Sequence, residues 1–440
     1  MSSNPPLATA AFRISSQQER AWLENEHGLP QFAQCLIRIE GPVDVDRLKS
    51  VLHSIVERYE ILRTVPRRQT GVKLPFQIVQ DKAAFAWSHA NAEANLHELV
   101  NKERASLSGA ESSLRALLVS DRGENILALT IPVFCADGAT LKNLFGEIAT
   151  RYRGDNSVSD DAMQYADLVE WQNELLTSDE SKPGRDFWRE LCRKIDFASL
   201  EAQTLPLETK HPQPFEFALV RGQVYSAPVD ELATELKTSF EVVLLALWNA
   251  LLMRITGVLD ITTACELDGR RYEELTASLG PLSRSLPLRI EVAPRTPFRD
   301  LVPSVGAALN DSRNWQESFS WSSVTDTECP VIPLAFSFTD LGSAQDAGGV
   351  RFSLERVQVV SERFKLRLNM VRRGAELRLE FHYDAARFER GAVERIAGYY
   401  QNLLAAALAS PATAVAHLPL LPEDERRQLL VEWNQTAAAY

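Results

Sequence analysis

The stretch of this chain that most invites a chemical reading is Pro132-Val-Phe-Cys-Ala-Asp-Gly138. It brings a thiol and a carboxylate together just after an apolar run. A cysteine can take an acyl group as a nucleophile when a base or cation lowers its pKa. On an extended strand Cys135 would share a face with Val133. No basic partner stands near it in sequence, and a cysteine is commonly a small buried hydrophobe, so a structural Cys135 is the favoured reading. A general base is harder to find. The seven histidines are His27, His53, His89, His97, His211, His382 and His417, and none falls in this segment. His53 lies in a helical stretch ahead of Arg58 and His382 beside Tyr383 in a strand-like one, where surface or structural roles are expected. Val133 itself has no proton to give and no hydrogen-bond donor.

Other reaction signatures are missing. The chain has no GxSxG elbow, no Walker loop, no GxGxxG after a strand and no HExxH. Asp268-Gly-Arg-Arg271 resembles a catalytic loop but reads as structural. The five cysteines, at 35, 135, 192, 265 and 329, show no CxxC or metal-ligand spacing, so reduced, buried thiols and no metal are expected. A formal charge of −12, from 59 acidic and 47 basic residues, argues against nonspecific nucleic-acid binding. There is no secretory signal at MSSNPPLATAAF. The apolar run near Val242–Ile255, broken by Trp248-Asn249 and Arg254, is too short to span a bilayer. A cytoplasmic protein without a membrane partner is the expectation.

The elements around the candidate segment can be read from periodicity. Val43–Tyr59 puts Leu48, Val51, Leu52, Ile55 and Val56 on one helical face. Asn125–Phe134 reads as a buried strand, with Pro132 demanding an edge or bulge because it lacks a backbone donor. Gly138 is read as permitting the tight turn into a helix over Ala139–Tyr152, with Leu141, Leu144, Phe145 and Ile148 inward. The polar stretch Asn173–Arg185, containing Pro183-Gly184, reads as a connection between two lobes. Phe240–Ile255 is an apolar helix and Ile261–Glu266 a strand. Lys365–Val371 and Glu376–Tyr383 look like paired strands, and Ala392–Leu408 is a helix using Ile396, Tyr399, Leu403 and Leu404. The cluster Trp315, Phe319 and Trp321 is expected to pack at the lobe junction, with contact to a neighbouring domain as the alternative. The fold class predicted is α+β, or mixed α/β, with lobes over 1–176 and 177–424 and a connector over 425–440.

Six ordered segments resemble a known family. Ser15-Ser-Gln-Gln-Glu-Arg20-Ala-Trp22 is similar to S-x-A-Q-x-R-x-W, and Arg58-Tyr-Glu-Ile-Leu-Arg-Thr64 to R-H-E-x-L-R-T. Pro132–Gly138 stands in the place of H-H-x-x-x-D-G. Tyr165-Ala-Asp-Leu-Val-Glu-Trp-Gln172 resembles Y-x-D-Y-A-x-W-Q, and Gly280-Pro-Leu-Ser-Arg-Ser-Leu-Pro-Leu-Arg289 resembles G-x-F-V-N-T-L-P-L-R. The tail from Leu420 to Thr436 looks like a connector to an adenylation domain. Together they resemble the condensation domains of nonribosomal peptide synthetases.

That resemblance implies two chloramphenicol-acetyltransferase-like lobes in a V-shaped pseudo-dimer, with a tunnel entered by the phosphopantetheine arms of carrier proteins. A latch from the second lobe to the first is implied near Phe336–Gly349 or beyond. In the family the second signature histidine orients or deprotonates the amine, and here Pro132 and Val133 replace both histidines. Loss of such a group typically costs about 10²–10⁴-fold in rate. The retained Asp137 is implied to be architectural and paired with an arginine: Arg289, or else Arg63 or Arg284. Val133, Cys135, Arg284 and Ser285 are the expected tunnel residues. The favoured expectation is a domain inactive in ordinary amide-bond formation. It would dock peptidyl or aryl carrier proteins, an adenylation domain or a tailoring enzyme. The alternative is an enzyme that transfers carrier-bound acyl groups by positioning or a mechanism without histidine. No cofactor is expected beyond the tethered phosphopantetheine.

Overall fold

The computed structural model describes residues 11–91, 95–107, 113–121, 124–155, 162–209, 215–327 and 329–427. Two six-stranded sheets organise them. One runs in the order Gln345–Ala347, Val350–Val360, Phe32–Glu40, Glu124–Ile131, Arg115–Asp121, Ala86–Asn91. The other runs Arg284–Glu291, Asp260–Leu267, Leu334–Asp340, Leu366–Arg373, Glu376–Asp384, Phe217–Tyr225. Both are mixed, with parallel pairs at Ala86–Asn91 in the first and at Leu334–Asp340 in the second. Each carries its own core of buried apolar residues.

The chain crosses between the sheets after Asp340. Val350–Val360, from the second half of the sequence, pairs antiparallel with Phe32–Glu40 of the first sheet, with a register shift between Leu354 and Arg356. The crossing sits where a latch was sought, and it ties the two halves through backbone hydrogen bonds. Pro287 lies in Arg284–Glu291, which is an edge strand, where a proline is tolerated.

Local chemistry explains the helices that frame the later argument. Val45–Arg58 starts at Asp44, whose side chain accepts from Arg47 N, and it buries the five residues expected of its inward face. Phe240–Thr256 is capped by Ser239 and stopped by Gly257 in the left-handed region; it is buried along nearly its whole length. No single helix among the described residues is long and apolar enough to cross a membrane. The pair Ala227–Glu235 and Phe240–Thr256 reaches that length only across a 96° bend, and both helices pack into the core.

The connection read at Asn173–Arg185 is mostly helical: Tyr165–Thr177 and Lys182–Cys192 meet across a short turn, and Pro183 opens the second helix, where its missing donor is harmless. Two local readings need correction. In Arg390–Ala409 the inward aromatic is Tyr400, which donates to Leu244 O at 3.0 Å, while Tyr399 reaches out to Glu425. The strand Glu124–Ile131 ends before Pro132, so the proline needs neither an edge nor a bulge.

Candidate functional site

Past Ile131 the chain turns at once. The amides of Cys135 and Ala136 both donate to Pro132 O, at 2.8 and 3.2 Å. This turn, and not the extended strand expected, decides where the side chains go. Val133 faces the space between the sheets, while Cys135 is directed away and donates its Sγ to Thr64 O at 3.3 Å. Burial pushes the Cys135 thiol up to about 12. A thiol in that state is no nucleophile at neutral pH. Iodoacetamide should therefore leave Cys135 unmodified in the folded protein and label it on unfolding, read by peptide mass spectrometry. Labelling of the native chain would count against a buried, inert Cys135.

Asp137 caps the helix Gly138–Arg153. Its Oδ1 accepts from Thr140 N and from Thr140 Oγ1, both at 2.7 Å. Gly138 adopts no left-handed φ, and a Cβ there would stand 3.7 Å from Val357, so the turn does not require a glycine at this position. The tight turn is made upstream at Pro132.

The arginine that meets Asp137 is Arg270, correcting Arg289. Its Nη1 donates to Asp137 Oδ2 at 2.9 Å and its Nη2 to Oδ1 at 3.1 Å. The same guanidinium donates to Ser278 O and Gly280 O. Arg289 lies five residues along its strand from Arg284, roughly 16 Å away, and pairs with Asp260. Arg63 is engaged with Glu60 and Gln80 O. Arg284 donates to the carbonyls of Gln316 and Phe319. Burial would raise the Asp137 carboxyl, but the Arg270 charge and the hydrogen bonds outweigh it and hold it below the usual carboxylate range.

Three of the other motif segments converge on this pair. Leu282 N and Ser283 N donate to Asp137 Oδ2 at 2.9 and 2.8 Å. Tyr165 donates to Pro281 O at 3.0 Å and lies 2.8 Å from Ser15 Oγ. Gln17 reaches Leu282 O and Gln18 reaches Phe134 O, both at 3.1 Å. Segments scattered along the sequence thus form one junction between the lobes.

Beside the junction is a cavity of about 90 Å³, room for several waters at roughly 10–15 Å³ each. Val133, Asp137, Arg284 and Ser285 line it; Cys135 does not. Phe319 and Trp321 line it as well, edge-on to each other at 4.9 Å. Its polar lining also includes Arg20, Glu266, Glu362 and several serines, and the sequence reading singled out neither glutamate. One signal existed for Glu266, the single acid inside the apolar run Ile261–Leu267. Glu362 had none.

Residues 11–430 match the family model described as "Condensation domain". The chain belongs to the condensation-domain family. This condensation domain is 27% identical to a linear gramicidin synthase of Brevibacillus parabrevis, over 97% of its own length and 9% of that protein's. It is 25% identical to bacitracin synthase 3 of Bacillus licheniformis, over 98% of its length and 7% of that protein's. It thus spans under a tenth of either relative. Its fold matches the condensation domain of the monacolin K polyketide synthase MokA, with a TM-score of 0.81, 18% identity, and 92% and 99% of the two chains covered. It also matches the X-domain of teicoplanin biosynthesis, solved with OxyB, with a TM-score of 0.76, 19% identity, and 96% and 100% covered. The condensation-domain resemblance and the mixed α/β fold are therefore established. Val133 lines the cavity of this condensation domain, and His382 is buried in the second sheet beside Glu380, at 3.1 Å.

Proposed function

We propose that this domain keeps the condensation architecture without ordinary amide-bond synthesis. It serves as a docking platform for carrier, adenylation or tailoring partners of a nonribosomal assembly line. The observation that carries the reading is Val133 on the cavity wall next to a fully satisfied Asp137–Arg270 pair. The scaffold of the site is intact, and the residue facing the cavity can neither take nor give a proton. The X-domain solved with OxyB supports the idea that such a fold can engage a partner enzyme. The phosphopantetheine arms of peptidyl or aryl carriers would be the tethered ligands, residues 425–440 would lead toward an adenylation domain, and the setting would be cytoplasmic.

A second reading is favoured by the cavity remaining open: two tethered substrates aligned there could react by positioning alone. The experiment that separates the two follows acyl transfer between donor-loaded and acceptor-loaded carriers by intact-protein mass spectrometry, with native protein and Val133→His side by side. No transfer by the native domain, together with a carrier or tailoring-enzyme complex, is expected. Transfer that requires the native domain would overturn the platform reading.

A further inference from the structure

Away from the junction cavity, the surface carries an apolar groove for which the site has no use. Met163, Trp171 and Tyr272 line it, and they are three of the seven large hydrophobics exposed among the described residues. Scattered singly, such side chains mean little; gathered in one place they mark a contact surface. The groove encloses about 460 Å³ and shares no lining residue with the cavity beside Val133. Trp171 and Tyr272 meet edge-on with ring centroids 6.0 Å apart. The first comes from the helix Tyr165–Thr177, the second from the loop just past Arg270.

The floor of the groove is firm and its rim is acidic. Leu168 and Leu275 line it from below; both are buried in the core of the first sheet. Leu275 reaches that core from the second half of the chain. Its loop is held by Arg270 on Asp137 and by Asn143, which donates to Thr276 O at 2.8 Å. Asp167 stands four residues before Trp171 on the same helical face, and Glu274 lines the groove from the loop, with Glu273 exposed beside it. Neighbouring acids have cations: Glu170 pairs with Arg13 and Asp268 with Arg270. Asp167, Glu273 and Glu274 have none among the described residues. Arg271 supplies no charge to them, because it donates to Asn314 O and leans toward Glu317.

From this combination we infer that the Trp171–Tyr272 groove docks a basic amphipathic segment of a partner protein, an apolar anchor flanked by lysine or arginine. The anchor fills the space over Leu168 and Leu275. The long stems of the flanking residues lie along the two rings, and their charges meet the ring faces and the unpaired carboxylates. An acidic segment would set like charge against like. A partner held there touches the helix Tyr165–Thr177 and the loop that carries Arg270 at once, so docking braces the junction without entering the cavity. The inference rests on the platform reading, to which it adds a place and a chemistry for one partner.

The test uses the full chain, a short fluorescein-labelled helix of leucine and lysine, and a twin with glutamate in place of lysine, both followed by anisotropy. The lysine peptide should bind at least about 10-fold tighter than its twin, and less tightly as salt rises. Trp171→Ala and Tyr272→Ala should each weaken it about 10-fold, as loss of an interface aromatic does. Asp167→Asn combined with Glu274→Gln should remove the preference between the peptides. Leu259→Ala, which trims an exposed apolar side chain outside the groove, should leave binding unchanged. Circular dichroism reports on the fold of each variant. Equal binding of the two peptides, or none, overturns the inference, and so does a preference undiminished in the folded groove variants. Dimerisation through these residues, read by sedimentation, or their adsorption to phosphatidylcholine vesicles would overturn it too, giving the groove to a second copy or to lipid. The peptides involve no carrier, so failure here leaves the acyl-transfer experiment to judge the platform reading separately.

Discussion

Replacing Arg270 with alanine should cost about 3–5 kcal/mol of unfolding free energy, the usual result of stripping a buried carboxylate of its cation. The side chain of Arg270 is 2% exposed and that of Asp137 7%, so water cannot take over the pairing. Asp137 would keep the amides of Thr140, Leu282 and Ser283, which is why the loss should not exceed that range. The pH dependence gives an independent check. Asp137 is held below its ordinary value in the folded protein, so its contribution is present above the unfolded value, near 3.9, and is lost as pH falls through the lower folded value. In Arg270→Ala the carboxyl is buried without a cation, and acid relieves it. Urea titrations of both proteins should therefore diverge most at neutral pH and draw together below about pH 4. A gap under about 1 kcal/mol at neutral pH, the range of exposed pairs, would mean that the pair does not hold the junction.

Gly280→Ala should be nearly as damaging, for a steric reason. Gly280 has φ +125°, and a Cβ built there would stand 2.1 Å from the Tyr165 ring. Overpacking costs typically 1–3 kcal/mol and a strained backbone about as much again, so a loss of roughly 2–5 kcal/mol is expected. The ring cannot retreat cheaply, because its hydroxyl is engaged by Ser15 and Pro281. Gly391→Ala is the control: nothing lies within 4 Å of its added Cβ, and the site is at the start of a helix. There alanine should be neutral or slightly stabilising by up to about 1 kcal/mol. The denaturation midpoints of the two variants, measured together, decide the matter; similar midpoints would remove the steric argument.

Much of the site was legible in the chain because it was written as local pattern. The helix after Asp137 and the inward face of Val45–Arg58 follow from a period of 3.6 and a capping side chain. The hairpin Leu366–Arg373 with Glu376–Asp384 follows from apolar runs flanking Arg373-Gly374. The order of the six motifs carried the family, and with it the significance of a valine at position 133. At Asn173–Arg185 the polar composition marked a connection but not its form, two helices joined by a short turn. Alternation misled at Cys135, since a turn beginning at Pro132 breaks the shared face with Val133 that it implied.

What the sequence determined by itself was therefore whatever neighbours along the chain decide: element type, helix caps, inward faces, the motif that lost its histidines. Partnerships across the molecule were decided only by the tertiary structure. Asp137 and Arg270 are 133 positions apart, and no periodicity spans such a distance. A buried charge takes the partner that docking brings within 3 Å, and docking depends on how both sheets, and the strand Val350–Val360 that crosses between them, pack at once. Arg289, with a fitting charge in a fitting motif, lost to Arg270 because a strand carries it roughly 16 Å along the sheet, while the loop holding Arg270 folds back onto the helix that Asp137 begins.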